Sequence, residues 1–243
     1  MQTKTTSVAA MPEIPRTRPI APWWHTVLVM AAIAGLSIAG HRQHGLANLH
    51  LPAMSSQLSS YLTVTMAEWL LIFVIWLALK GRGLRITSLV GGRWDSTKSF
   101  FRDLGIAVGY FAVVALPISL LADRFGGGSK DVDVTISPRT VLDLLGWLTV
   151  SITAGFCEEY FFRGYLMQQF TAWSGSRPVG IVTQAVFFGL GHAYYNKRVM
   201  FTVMLLGLAL GLLAHWRKSL RPGMLAHGLV DSVGGIIAFF WGP

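Results

Sequence analysis

The 243-residue chain is 53% hydrophobic and only 13% charged, with a mean hydropathy of +0.52, where a soluble domain carries about 25% charged residues. This composition excludes an ordinary soluble domain and points to a polytopic membrane protein. The formal net charge of +9 sits in short clusters between apolar runs, as in cytoplasmic loops and not as in a nucleic-acid-binding surface. The single cysteine, Cys157, excludes an intramolecular disulfide framework and zinc-finger spacing.

Residues 1–22 carry Pro12, Pro15, Pro19 and Pro22 without apolar periodicity, so they read as a flexible cytoplasmic tail that does not build the fold. Residues 23–122 hold N-terminal transmembrane helices: Trp23 to Gly40, with Trp23 and Trp24 at an interface, then Tyr61 to Leu79 and Leu104 to Leu121. Arg42 is the one permanent cation between the first two spans, whereas Lys80, Arg82, Arg85, Arg93, Lys98 and Arg102 follow the second. The positive-inside bias therefore predicts a cytoplasmic N-terminus and a cytoplasmic segment 80–102. Residues 122–139, with Gly126 to Gly128 and Asp123, Asp131 and Asp133, read as an outer loop.

Residues 139–243 form the expected catalytic core. An apolar pattern from Thr140 to about Trp173 spans roughly 50 Å as a helix, more than a hydrocarbon core of about 30 Å, so part of it must protrude or bend. Gln168 and Gln169 suggest the membrane exit, and Gly175 to Pro178 the turn. A return helix carries Phe188 and His192, Phe201 to Trp216 follows, and a last span begins at Pro222. The expected fold is all-α, a transmembrane bundle of about seven to eight helices.

The chain's costly charge is read as lying in one stretch, Gly155 to Gly164, with Glu158, Glu159 and Arg163. A charged group at mid-bilayer costs at least about 2.5 kcal/mol, so it pairs or serves a function. Glu159 and Arg163 are i and i+4 on one helix face, a supporting ion pair. Glu158 points about a quarter-turn away, unpaired and left for chemistry. Glu158 and His192 are each 17 residues from Gly175, so an antiparallel hairpin brings them to one height. His227 falls in the same layer, about 10–15 Å deep.

His227 and Asp231 repeat the i, i+4 spacing, so the carboxylate is expected to hold the imidazole, and Phe188 should press on His192 in the same way. Cys157 reads as a small buried hydrophobe, His25 as an interfacial anchor, and Gly207 with Gly211 as a close helix contact. The donors Glu158, His192 and His227 also satisfy a His₂Glu zinc set with an open fourth position; no cofactor is favoured, and zinc is the alternative.

Three motifs, Glu158-Glu159-Tyr-Phe-Phe-Arg163, Phe188-Gly-Leu-Gly-His192 and His227-Gly-Leu-Val-Asp231, resemble those of the CPBP (CAAX protease and bacteriocin-processing, or Abi) intramembrane endopeptidases. The similarity covers roughly residues 140–240. It implies a membrane protease in which Glu158 and His192 activate a water and His227 with its helix partner faces the oxyanion. Eukaryotic members that process prenylated CAAX proteins have Asn where this chain has Asp231; an aspartate suits that place when protonated or when it only orients His227.

The expected function is thus an endopeptidase of the inner membrane. Its catalytic residues are Glu158, His192, His227 and Asp231, supported by Glu159, Arg163 and Phe188. Its partners are a peptide or protein substrate at the membrane and the bilayer, with no nucleic acid. A non-catalytic scaffold or immunity protein is the remaining alternative.

Overall fold

The computed structural model describes residues 18–46, 55–125, 137–193 and 197–241. Residues 1–17 of the expected tail, His50, and the outer-loop residues 126–136 with Asp131 and Asp133 lie outside the described residues. All secondary structure among the described residues is helical: α1 (Trp23–Leu46), α2 (Ser56–Gly81), α3 (Ile86–Val90), α4 (Thr97–Tyr110), a π-helical segment π1 (Phe111–Ala115), α5 (Leu116–Arg124), α6 (Val141–Glu159), a second π segment π2 (Tyr160–Leu166), α7 (Met167–Ser174), α8 (Arg177–Gly191), α9 (Lys197–Arg217) and α10 (Arg221–Trp241). Because α4, π1 and α5 run on as one rod, as do α6, π2 and α7, there are eight continuous helices among the described residues. Five of them are long and apolar enough to cross a membrane: Ser56–Gly81, Thr97–Arg124, Val141–Ser174, Lys197–Arg217 and Arg221–Trp241. The protein is an all-α integral membrane bundle.

The helix starts are written in short polar residues. Ser55 accepts from the Leu58 amide at α2, Ser96 and Ser99 form a capping box at α4, and Thr140 and Asp143 form one at α6. Asp143 also accepts from the Ser55 hydroxyl, tying the starts of α2 and α6 together. Gly175 ends α7 at φ 67° and Pro178 sits in the first turn of α8, the expected tight turn.

Helices approach where a side chain would not fit. A Cβ on Gly155 would lie 2.7 Å from the Gly228 amide and the Met224 carbonyl, so α6 and α10 cross backbone to backbone. On α9, a Cβ on Gly207 would meet Phe188 at 2.7 Å and one on Gly211 would meet Gln184 at 2.5 Å. The small-residue face expected at Gly207 and Gly211 therefore seats α8.

Three local readings need correction. Ile20 and Ala21 are buried, and their amides donate to Gln169 Oε1, so the end of the proline-rich segment does build the fold. Gln169, taken as a sign of membrane exit, is itself fully buried and donates to the Thr26 hydroxyl at 2.7 Å; its polarity serves an internal partner and not water. His25 is likewise no surface anchor: its Nδ1 lies 2.8 Å from the Tyr165 hydroxyl in the interior.

At the other end of α9 and α10, Asp103 is fully buried and gathers Trp94, Arg102, Arg217 and Arg221. The Leu220 amide donates to Val90 O at 2.9 Å, so the segment after α2 closes on the α9–α10 turn. The two basic clusters of the sequence share one end of the bundle.

Candidate active site

The central rod changes from α to π winding immediately after Glu159. A π segment inserts into the i to i−4 ladder and re-phases the side chains, and such segments are frequent at functional sites. Here every residue from Glu159 to Met167 is buried. Arg163, fully buried, donates through Nη1 to Glu159 Oε1 at 2.7 Å and through Nη2 to Gly207 O at 3.2 Å. Gln184 donates to the same carbonyl at 3.0 Å. Phe188 lies under the guanidinium, 4.3 Å from ring centre to Cζ, and a charge removed from water gains from an aromatic face. This ion pair, inferred from spacing alone, forms the dry floor of the site.

Above the floor, α10 presents His227. Its Nδ1 lies 3.0 Å from Glu159 Oε1. A carboxylate accepts, so Nδ1 carries the hydrogen and Nε2 faces away, 3.5 Å from Asp231 Oδ2 and 3.8 Å from Glu158 Oε2. The expected i, i+4 pair of His227 and Asp231 is present, but the hydrogen bond of the ring is made to Glu159 through the other nitrogen, and Asp231 stands on Nε2 together with Glu158. Spacing along one helix could not reveal this, since the bond joins residues 68 apart in sequence.

His192 caps α8, and its Nδ1 lies 2.9 Å from Phe188 O. A carbonyl only accepts, so Nδ1–H donates and Nε2 keeps its lone pair. Phe188 packs edge-on to both imidazoles, 5.1 Å from His192 and 5.7 Å from His227. It presses on His192 as the spacing predicts.

Glu158, His192, His227 and Asp231 line one cavity of about 100 Å³, closed by Tyr110, Phe188 and apolar residues of α9 and α10; a water needs only about 10–15 Å³. Side-chain exposure is 24% for Glu158 and 33% for Asp231 but 9% for His227, so the cavity deepens toward the floor. Oε2 of Glu158 is buried without a hydrogen-bond partner. Trp147 Nε1 donates to Asp231 O at 2.8 Å and keeps α6 and α10 in register beside the cavity. Cys157 points into the core, buried. Among the described residues, no three His, Cys, Asp or Glu side chains converge as a metal-holding group.

One acid of this region escaped the sequence reading. Glu68, in the middle of α2, lies within electrostatic range of Glu158, His227 and Asp231, so costly charge is not confined to residues 155–164. The signal was present: it is the sole acid between Tyr61 and Leu79, and an acid in an apolar span is a site candidate by default.

Residues 140–233 match the family described as type II CAAX prenyl endopeptidase Rce1-like. No curated protein and no solved structure matches the chain.

Proposed function

We propose that this integral membrane protein is an endopeptidase with a water activated by Glu158, since residues 140–233 match the Rce1-like type II CAAX prenyl endopeptidase family, the family that the three motifs resemble. The observation that carries the reading is the single cavity shared by Glu158, His192, His227 and Asp231, in which Glu158 Oε2 has no hydrogen-bond partner. The Glu158 side chain is 24% exposed, so a water in the cavity can reach its carboxylate.

Glu158 takes one proton from the water as its oxygen attacks the scissile carbonyl carbon, and the carbonyl electron pair moves onto oxygen. The other hydrogen of the water is held by Nε2 of His192, whose Nδ1–H is committed to Phe188 O. His227, with Nδ1–H on Glu159, donates Nε2–H to the oxyanion as an imidazolium. A donor preset on developing charge in a dry site is typically worth about 2.7–4 kcal/mol. The C–N bond then breaks as Glu158 returns its proton to the leaving nitrogen, and the carboxylate is regenerated. Asp231 helps to keep His227 charged. Arg163 offsets Glu159, so the ring can be held without a second uncompensated anion. The substrate is a peptide bond of a membrane-associated protein, of CAAX or lipidated type as the family description suggests.

The chemistry is tested by chelation. Purified protein is expected to keep cleaving a lipidated peptide after prolonged treatment with a chelator. Stoichiometric zinc in the active protein, with activity lost on its removal and restored on its return, would instead establish the metal alternative.

We further propose a bacterial inner-membrane location with the N-terminus in the cytoplasm. Support comes from the cations of 80–102 and from the contact that brings Arg93, Arg217 and Arg221 to the same end. A reporter fused at residue 90 should be active only as a cytoplasmic reporter; activity only outside the cytoplasm would reverse the topology.

A further inference from the structure

The chemistry proposed above uses the polar lining of the cavity and leaves the apolar lining without a task. Apart from Phe188, that lining is Val203, Leu206 and Leu210 of α9, Val230 of α10 and Tyr110 of α4. Val203, Leu206 and Leu210 follow at i, i+3 and i+7, so they lie along one face of α9. Tyr110 is the one cavity residue outside the family-matched segment 140–233.

Tyr110 is also the bulkiest member of this group and the one that is held in place. It is 8% exposed, and its hydroxyl donates to Leu206 O at 3.1 Å, which ties α4 to the face of α9 that lines the cavity. Tyr110 belongs to a buried cluster with Leu210 and Ala226, bordered by Leu206 and Val230. The aliphatic side chains around it can shift, but a ring bonded at its far end cannot swing aside without leaving a buried hydroxyl unpaired. A second observation points to the same residue. The winding changes from α to π directly after Tyr110, as it does directly after Glu159. Such segments re-phase the side chains that follow and are frequent at functional sites, and both of those described here start beside a residue of this site.

The size of the cavity gives the ring its consequence. Its volume is about 100 Å³, whereas a water needs about 10–15 Å³ and a cavity of about 150 Å³ is known to hold a benzene. With one water in place, the remaining space takes a small side chain and not an aromatic one. A peptide bond set against Glu158 brings one of its neighbouring side chains to this space.

We propose that Tyr110 is a specificity-determining residue, whose held ring limits the size of the side chain that sits beside the scissile bond. The inference rests on the reading of the site as a peptidase.

The test compares selectivities in the full-length, detergent-solubilised protein. A lipidated peptide that the wild type cleaves and Glu158→Gln does not is cut first, and mass spectrometry locates the bond. The residues on either side of that bond are then changed in turn to Val or to Phe. At the position that meets the cavity, the wild type is expected to favour Val over Phe in kcat/KM by at least about tenfold, since one surplus methylene in an apolar pocket already discriminates by about 10–200-fold. Tyr110→Ala frees the space of a phenol ring and should raise the Phe-to-Val ratio by at least about tenfold. Tyr110→Phe keeps the ring and should leave the ratio near the wild-type value. Should Tyr110→Ala fail to accumulate, Tyr110→Leu makes the same comparison with a smaller void.

A purely structural role would lower kcat/KM alike for both peptides, so an unchanged ratio at both positions would overturn the proposal and leave the peptidase reading intact. A shift in Tyr110→Phe as large as in Tyr110→Ala would assign the selectivity to the hydroxyl and overturn it as well. Absence of cleavage by the wild type across such peptides would instead remove the peptidase reading, and the proposal with it.

Discussion

The floor and the chamber of this site are built from adjacent residues yet obey different rules. Glu159 and Arg163 are fully buried and bonded to each other, to His227 and to Gly207 O, through Glu159 Oε1 and the two terminal nitrogens of Arg163. One residue away, Glu158 is a quarter exposed, with an oxygen left unpartnered over a cavity. On the proposed function, this contrast is how a membrane protein would keep a reactive carboxylate. One oxygen of Glu159 is bonded to both Arg163 and His227, which fixes one histidine, while Glu158 is left partly exposed, where water can reach it. Removing charge from the floor should therefore damage assembly, and removing it from the chamber should damage only turnover.

The sharpest break between the two is a pair of single substitutions. Glu158→Gln is expected to accumulate like the wild type and to lose cleavage by at least the roughly 10²–10⁴-fold typical of a general base. Glu159→Gln should lose both folded protein and activity, because it uncovers Arg163 and releases His227 together. Equal accumulation of the two variants, measured by size-exclusion of detergent-solubilised protein, would erase the distinction between floor and chamber.

Arg163→Ala comes next in size. It leaves Glu159 buried with only His227 to balance it, and breaking a buried pair from one side typically costs about 3–5 kcal/mol. Removing both members, Glu159→Ala with Arg163→Ala, should recover part of the folded yield. Activity should stay low in the double variant, since His227 has lost the acceptor of its Nδ1–H. Recovery of yield without turnover would separate the structural task of Glu159 from its task at the histidine. A double variant that accumulates no better than Arg163→Ala would mean that the two residues are not coupled.

Much of this was legible in the chain. Five of the expected spans, though not the first at Trp23 to Gly40, whose apolar part is shorter, follow from helical periodicity, as do the Glu159–Arg163 pair and the common layer of Glu158, His192 and His227, because each depends on one helix or one hairpin. What escaped depends on contacts between distant segments. Gln169 and His25 look like surface groups until residues 20–26 are seen to fold onto them. Asp103 looks like a loop charge until α9 and α10 bring Arg217 and Arg221 to it. Glu68 differs, since an isolated acid in an apolar span is a signal in itself; what the sequence could not show was that α2 turns it toward α6 and α10.

The smallest expected effect concerns Asp231, where the helical spacing and the fold disagree. Spacing assigns it the orientation of His227, yet the ring's Nδ1 is held by Glu159 at 3.0 Å and Asp231 stands 3.5 Å from Nε2, on the cavity side. If Glu159 alone fixes the ring, Asp231→Asn leaves His227 in place and removes one of the two anions near Nε2. The amide keeps the volume and adds a donor beside the developing oxyanion, which offsets the lost support for the imidazolium. The net change in kcat/KM should therefore stay within about tenfold, roughly 1.4 kcal/mol. His227→Ala removes the donor itself and should cost about 10²–10³-fold, as for an oxyanion-hole group. A loss in Asp231→Asn as large as that in His227→Ala would return the orienting role to Asp231 and leave Glu159 as a partner of Arg163 alone.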